Sequence, residues 1–265
     1  MTDLWKDLLG CLDLRETEPG TCFEGSNQRL TYHRLFGGQL LAQFVRAASL
    51  VCPDKTIKSM HALFPREGRS DEPVRYEVER AHDGGTFATL TIRARQQKGI
   101  IATASVSMHT VEEGLDHQTI FRVPELPGRA HQVTFDLIPW DTRSTDDLDA
   151  RTVETAEFDL WMRTPKTEPA LTTALTAYAT DLTLIGTALR QVEGVCQQDA
   201  GTAFKSAVTS HSLWFHRPFR TDDWLLLRQH SPVLAHGRCF GRGDVLTAAG
   251  FLVASYAQEA MLRFL

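Results

Sequence analysis

The chain contains itself twice, and that repetition limits what it can fold into more than any single motif does. Leu35-Phe-Gly-Gly-Gln-Leu40 resembles Leu184-Ile-Gly-Thr-Ala-Leu189, and His61-Ala-Leu-Phe64 resembles His211-Ser-Leu-Trp214. Gly99-Ile-Ile-Ala-Thr-Ala104 resembles Gly250-Phe-Leu-Val-Ala-Ser255. The offsets are 149, 150 and 151 residues, in the same order along the chain. Three short matches drifting by one residue at a time are the signature of a duplicated structural unit.

The periodicity inside each copy says what that unit is. Phe36, Leu40, Phe44, Ala47 and Val51 recur at three- and four-residue steps, which makes one apolar helical stripe entered through Gly37-Gly38. The counterpart is expected from Thr180 to Val195, with Leu184, Ala188 and Val192 on one face. Strands follow in both copies. They are expected at Tyr76–Glu79, Phe87–Arg95 and Ile100–Met108, then at Ser212–Phe215, Trp224–Leu227, Asp244–Thr247 and Phe251–Ala257. Asp83-Gly-Gly85 and Gly241-Arg-Gly243 read as turns between strands. The expectation is an α+β fold in which an antiparallel sheet wraps a helix in each half, with units at 1–111 and 158–265 and an acidic, proline-containing crossover at 112–157.

Composition narrows the partners. The 265 residues are 42% hydrophobic and 23% charged with a net charge of −5, and the basic residues form no block, so nucleic acid is excluded as a partner. No apolar run approaches the roughly 18 residues of a membrane span, and Met1-Thr-Asp-Leu-Trp does not read as a signal peptide. Cys11, Cys22, Cys52, Cys196 and Cys239 are scattered and odd in number, which fits reduced thiols in the cytoplasm rather than a metal or redox site.

Several stretches together resemble the acyl-CoA thioesterase II (TesB-like) family. They are Leu35-Phe-Gly-Gly-Gln-Leu-Leu-Ala-Gln43, Val78-Glu-Arg-Ala-His-Asp-Gly-Gly-Thr-Phe-Ala-Thr89, Tyr178-Ala-Thr-Asp-Leu182, Trp214-Phe-His-Arg-Pro-Phe219 and Gly250 to Arg263, in family order and nearly end to end. The resemblance implies a double hotdog, a homo-oligomer, and hydrolysis of fatty acyl-CoA by an activated water, with no cofactor beyond the CoA of the substrate. It also implies an Asp at the head of the Trp-Phe-His-Arg strand, a Ser or Thr on the next strand and a Gln on the last. Here the first of these positions carries Ser210, the second falls near Ser231, and the third is Gln258.

Gln258 lies among apolar residues, where an amide is costly to bury unless it has partners, and it can donate to and accept from a bound water. Ser231 precedes Pro232 and suits either a water-orienting hydroxyl or a turn. Gly37 and Gly38 leave open amides at a helix N-terminus for an oxyanion, or simply let the helix pack closely. Ser210 cannot accept a proton as a carboxylate does, so the base is unfilled at its expected place. Asp181 and His61 are the candidates to replace it if two half-sites meet across the pseudo-twofold. His211, one residue from Ser210 on a strand, is expected to face away from it. The alternatives are a hotdog that binds acyl thioesters without hydrolysing them, and hydration or conjugate addition on the same fold.

Overall fold

A computed structural model describes residues 3–30, 34–119 and 122–265. The apolar stripe at 36–51 forms α2 (Gly37–Val51), with Leu40, Leu41, Phe44, Ala47 and Val51 buried. Ahead of it lie α1 (Leu4–Leu12), β1 (Arg15–Glu18) and β2 (Cys22–Gly25). After it come β3 (Thr56–Leu63), β4 (Val74–Asp83), β5 (Phe87–Gln96) and β6 (Gly99–His109). Along β5 the even-numbered residues Ala88, Leu90, Ile92 and Ala94 are all buried, which is the period-two pattern of a sheet with one face on a core.

The second half supplies β7 (Asp141–Arg143), β8 (Glu157–Arg163), α3 (Thr172–Ala179), α4 (Leu184–Leu189), β9 (Phe204–Phe215), β10 (Leu225–Ala235), β11 (Arg238–Thr247) and β12 (Leu252–Phe264). All twelve strands form one sheet in the order β1-β2-β4-β5-β6-β3-β9-β12-β11-β10-β8-β7. The halves join where β3 meets β9, antiparallel, with His61 opposite Ser212 and Ala62 opposite His211. The expected double hotdog is therefore present as a continuous sheet curled around α2 in one half and α3–α4 in the other. The stretch read as crossover contributes β7, which pairs with β8 at the sheet edge.

Three local expectations are corrected. Gly241-Arg-Gly243 is not a turn but the middle of β11, and the turn is made by His236-Gly237, both at positive φ. The glycines are there for proximity: a Cβ on Gly241 would stand 2.7 Å from Leu184 Cδ2, and one on Gly243 2.5 Å from the Tyr256 ring. The second helix begins at Thr172, earlier than expected, and breaks between Ala179 and Leu184. The break coincides with Thr180-Asp-Leu-Thr183, where short polar side chains compete for backbone groups; Thr180 Oγ1 lies 2.9 Å from Ala177 C=O. Finally, His61 is exposed whereas His211 is 1% exposed, so the two cannot be equivalent. Side chains alternate along a strand, so matching faces require an odd offset between β3 and β9, one residue away from the 150 of the sequence match.

Candidate active site

Helix α2 starts without a side-chain cap of its own: Phe36 at the N-cap makes no such hydrogen bond. The first amides of a helix need acceptors, and one is supplied from the other half of the molecule. The Gly38 N–H faces the carboxylate of Asp181, in the break between α3 and α4, and favours its charged form. Asp181 is 8% exposed, and its Oδ1 has no hydrogen-bond partner among the described residues. Two effects oppose one another here. The Gly38 amide and the positive end of α2 favour the charged carboxylate, while burial disfavours it. Burial wins, and the carboxyl is pushed up to about 7.

This carboxyl borders a cavity of about 360 Å³. Its walls combine apolar side chains from both halves (Leu35, Phe36, Leu40, Phe64, Ile185 and Met261) with Gly37, Thr209 and, at the rim, Arg34 and Arg66. Thr209 reaches the wall where β9 carries an extra residue relative to β12, the pairing slipping between Glu259 and Ala260. Its hydroxyl donates to Glu259 C=O at 3.0 Å and keeps its lone pairs.

A second buried polar group is tied to the same helix break. Gln258 on β12 lies opposite His211 on β9, and its Oε1 is 2.9 Å from His211 Nδ1. His211 Nε2 is 3.0 Å from Thr180 Oγ1, the residue before Asp181. The imidazole lies nearly parallel to the Tyr256 ring, with centroids 6.0 Å apart. Burial pushes it down to about 4, so it is neutral at pH 7. Gln258 Nε2, like Asp181 Oδ1, is buried without a partner among the described residues. Each keeps open hydrogen-bonding capacity, as do five other buried polar atoms among the described residues.

The chain is similar to known proteins along nearly its whole length. The description "Acyl-CoA thioesterase N-terminal domain" matches residues 27–109 and "Acyl-CoA thioesterase C-terminal domain" matches 111–262. The chain belongs to the acyl-CoA thioesterase family. It is 30% identical to acyl-CoA thioesterase 2 of Haemophilus influenzae over 100% of this chain and 99% of that one. It is also 30% identical to human acyl-coenzyme A thioesterase 8, over 91% of this chain and 84% of the relative. Among solved structures, acyl-CoA thioesterase II TesB2 from Mycobacterium marinum superposes with a TM-score of 0.79 at 30% identity, covering 97% and 98% of the two chains. A hot dog fold protein from Alicyclobacillus acidocaldarius, at 18% identity and a TM-score of 0.75, shares the fold.

Within this family member the residues singled out from sequence fall in different places. Gln258 is buried on the inner face, and Glu259 is outside, paired with Arg238 at 3.0 Å. Ser210 is not beside Gln258: it lies opposite Glu259, so it shares the outer face, and His211 takes the inner position. Ser231 is 1% exposed in β10, where its hydroxyl donates to Phe240 C=O at 2.8 Å, away from the cavity lining. Gly37 and Gly38 divide their duties. A Cβ on Gly37 would stand 2.6 Å from Asp181 Oδ2, whereas one on Gly38 would stand 2.6 Å from the backbone oxygen of Tyr178. Gly38 therefore packs closely against the second half, and Gly37 borders the cavity. His61 is on the outer face, its Nδ1 3.1 Å from Ser212 Oγ.

Asp181 was legible only as one of two candidates, and Thr209 and the Thr180–His211 link were not legible at all. The available signal was an acidic residue interrupting a helical stripe, two residues after an Ala and before a Leu that are both buried. A larger cleft of about 560 Å³ lies against β8, β10, β11 and β12. In it Arg228 pairs with Asp159, and Asp244 accepts from the Ser255 hydroxyl.

Proposed function

We propose that this chain hydrolyses acyl-CoA thioesters to a free acid and CoA, with Asp181 as the general base. The observation that carries the reading is a buried carboxyl, raised to about 7 and with one oxygen unpaired, at the wall of a cavity built by both halves. A base with a pKa near the working pH is both substantially ionised and strong enough to take a proton from water. Water held between Asp181 Oδ1 and Gln258 Nε2 gives its proton to the carboxylate as its oxygen attacks the thioester carbonyl carbon. The tetrahedral intermediate collapses with cleavage of the C–S bond, and the proton held on Asp181 passes to the departing sulfur. The N-terminal turn of α2 at Gly37 offers the positive dipole end to the developing oxyanion. The apolar wall suits an acyl chain, and Arg34 and Arg66 at the rim suit the phosphates of CoA. This chemistry uses no metal or redox cofactor.

The reading removes the objection raised by Ser210, because the base comes from the helix break instead of from the strand. We further propose a cytoplasmic homo-oligomer: all five cysteines are free and buried, and Leu63 and Trp214 stand exposed on the outer sheet face. The test is free-thiol release from acyl-CoAs of increasing chain length. Wild type is expected to turn over, and Asp181→Asn to lose roughly 10²–10⁴ in rate while still binding substrate. Binding of acyl-CoA by wild type with no thiol release above background would instead support a binding protein.

A further inference from the structure

The reading above uses Gln258 as a group that holds the reacting water, and the fold contains a device that decides which end of its amide does so. An amide side chain can present either its oxygen or its NH2 group, and the two have the same shape. The choice is made by whatever holds the other end. Here that is His211, whose Nδ1 faces Gln258 Oε1 at 2.9 Å. An amide oxygen only accepts, so the observed orientation requires the proton on Nδ1. The ring is neutral, so Nε2 then carries a bare lone pair and needs a donor. Thr180 Oγ1 stands 3.0 Å from it.

The threonine hydroxyl has one proton and two acceptors within reach, His211 Nε2 and the Ala177 carbonyl at 2.9 Å. If the proton points to Ala177, the chain reverses: Nε2–H donates to Thr180, Nδ1 becomes an acceptor, and the amide must flip to give it an N–H. The reversed chain would present Gln258 Oε1 to the site. That would place two acceptors, the amide oxygen and Asp181 Oδ1, around the same water. The forward chain leaves Gln258 Nε2 as the open end of the amide, as the structure has it, and in the hydrolytic reading supplies a donor to the water from which Asp181 Oδ1 accepts.

We propose that Thr180 and His211 are positioning residues: together they hold His211 in the Nδ1–H tautomer and thereby fix the Gln258 amide with its NH2 group toward the reacting water. This rests on the hydrolytic reading of the site. It also gives the helix break two functions in adjacent residues, since Asp181 supplies the carboxylate and Thr180 starts the chain that orients the opposing donor.

The experiment uses the full chain, labelled with [15N]histidine. The His211 resonances are identified by their loss in His211→Phe, which keeps a flat ring against Tyr256 but offers no hydrogen bond. The expected spectrum has Nδ1 protonated and Nε2 bare at pH 7. An Nε2-protonated ring would overturn the proposal, and that measurement on wild type stands even if the variant folds poorly. In steady-state thiol release, His211→Phe and Thr180→Val are expected to lose roughly 10²-fold in kcat with KM little changed, the scale of a misplaced reacting group. His211→Asn, whose amide N–H reaches the position of Nδ1–H, and Thr180→Ser are expected to recover most of that loss. Full activity in folded His211→Phe, or no recovery in His211→Asn, would also overturn the proposal. Asp181→Asn and Gln258→Ala run alongside separate the two levels. If both keep wild-type rates, the hydrolytic reading of the site is wrong. If both are impaired while His211→Phe is not, only the positioning role fails.

Discussion

The two halves of the sheet place different chemistry at the same point. Next to the joint between halves, the inner face of the second half carries His211 opposite Gln258, whereas the first half carries Met60 opposite Val106. Met60 and His211 each stand one residue from the His61–Ser212 pair where the halves meet, and all four side chains are buried. An apolar cross-strand pair needs no partners. The polar pair makes one mutual hydrogen bond, shares a second with Thr180, and leaves the amide nitrogen open. The helices differ in the same sense: α2 runs unbroken for 15 residues, while its counterpart is interrupted at Thr180–Thr183. The first half has an apolar pair and an unbroken helix, and the second has a polar pair and a broken one. The first half contributes a helix start, without a side-chain cap of its own, that faces Asp181.

Making the second half like the first is the strongest way to break this comparison. The double variant His211→Met, Gln258→Val is expected to lose roughly 10²–10³ in kcat, comparable to removal of one donor at a reacting centre. Its unfolding midpoint in urea should be unchanged or higher, because both partners of a buried polar contact are replaced together. Gln258→Val alone should be less stable than the double variant by about 1–3 kcal/mol, since it strands His211 Nδ1.

Stability against pH sharpens the same contrast. The Asp181 carboxyl is lifted from near 4 to about 7 on folding, so the fold prefers its protonated form. Its contribution is fully present below pH 4 and is lost as pH rises through 7, by up to about 4 kcal/mol. His211 has the opposite sign: lowered from 6.5 to about 4, its contribution is present above pH 6.5 and lost as pH falls toward 4, by roughly 3 kcal/mol. The difference in unfolding free energy between Asp181→Asn and wild type should therefore grow with pH between 4 and 7. That between His211→Phe and wild type should shift the other way.

The glycines give a smaller separation. Gly38→Ala should cost about 1–3 kcal/mol of stability, because its Cβ meets the Tyr178 backbone. Gly37→Ala should spare stability and lower kcat, because its Cβ displaces the Asp181 carboxylate. Ser210→Ala, on the outer face, should leave thiol release unchanged.

These residues also show what the sequence could carry. The duplication, the apolar stripe of α2 and the alternation along β5 were legible because burial imposes a period on residue type. Gln258 was legible because an amide in an apolar run needs a reason. The face of Ser210 was not legible because motif position along a strand does not fix the face, and β9 carries an extra residue beside it. Gly241 and Gly243 misled because glycine serves both turns and close approach. Asp181 was the hardest to read: its meaning depends on the uncapped end of a helix about 140 residues earlier, and only the tertiary fold brings the two together.

The pH dependence of thiol release tests the central claim most directly. With Asp181 as base, kcat/KM should rise with pH and level off above a midpoint near 7, and the residual activity of Asp181→Asn should lack that step. A wild-type profile flat from pH 5.5 to 8.5, or one whose step survives in Asp181→Asn, would contradict the account.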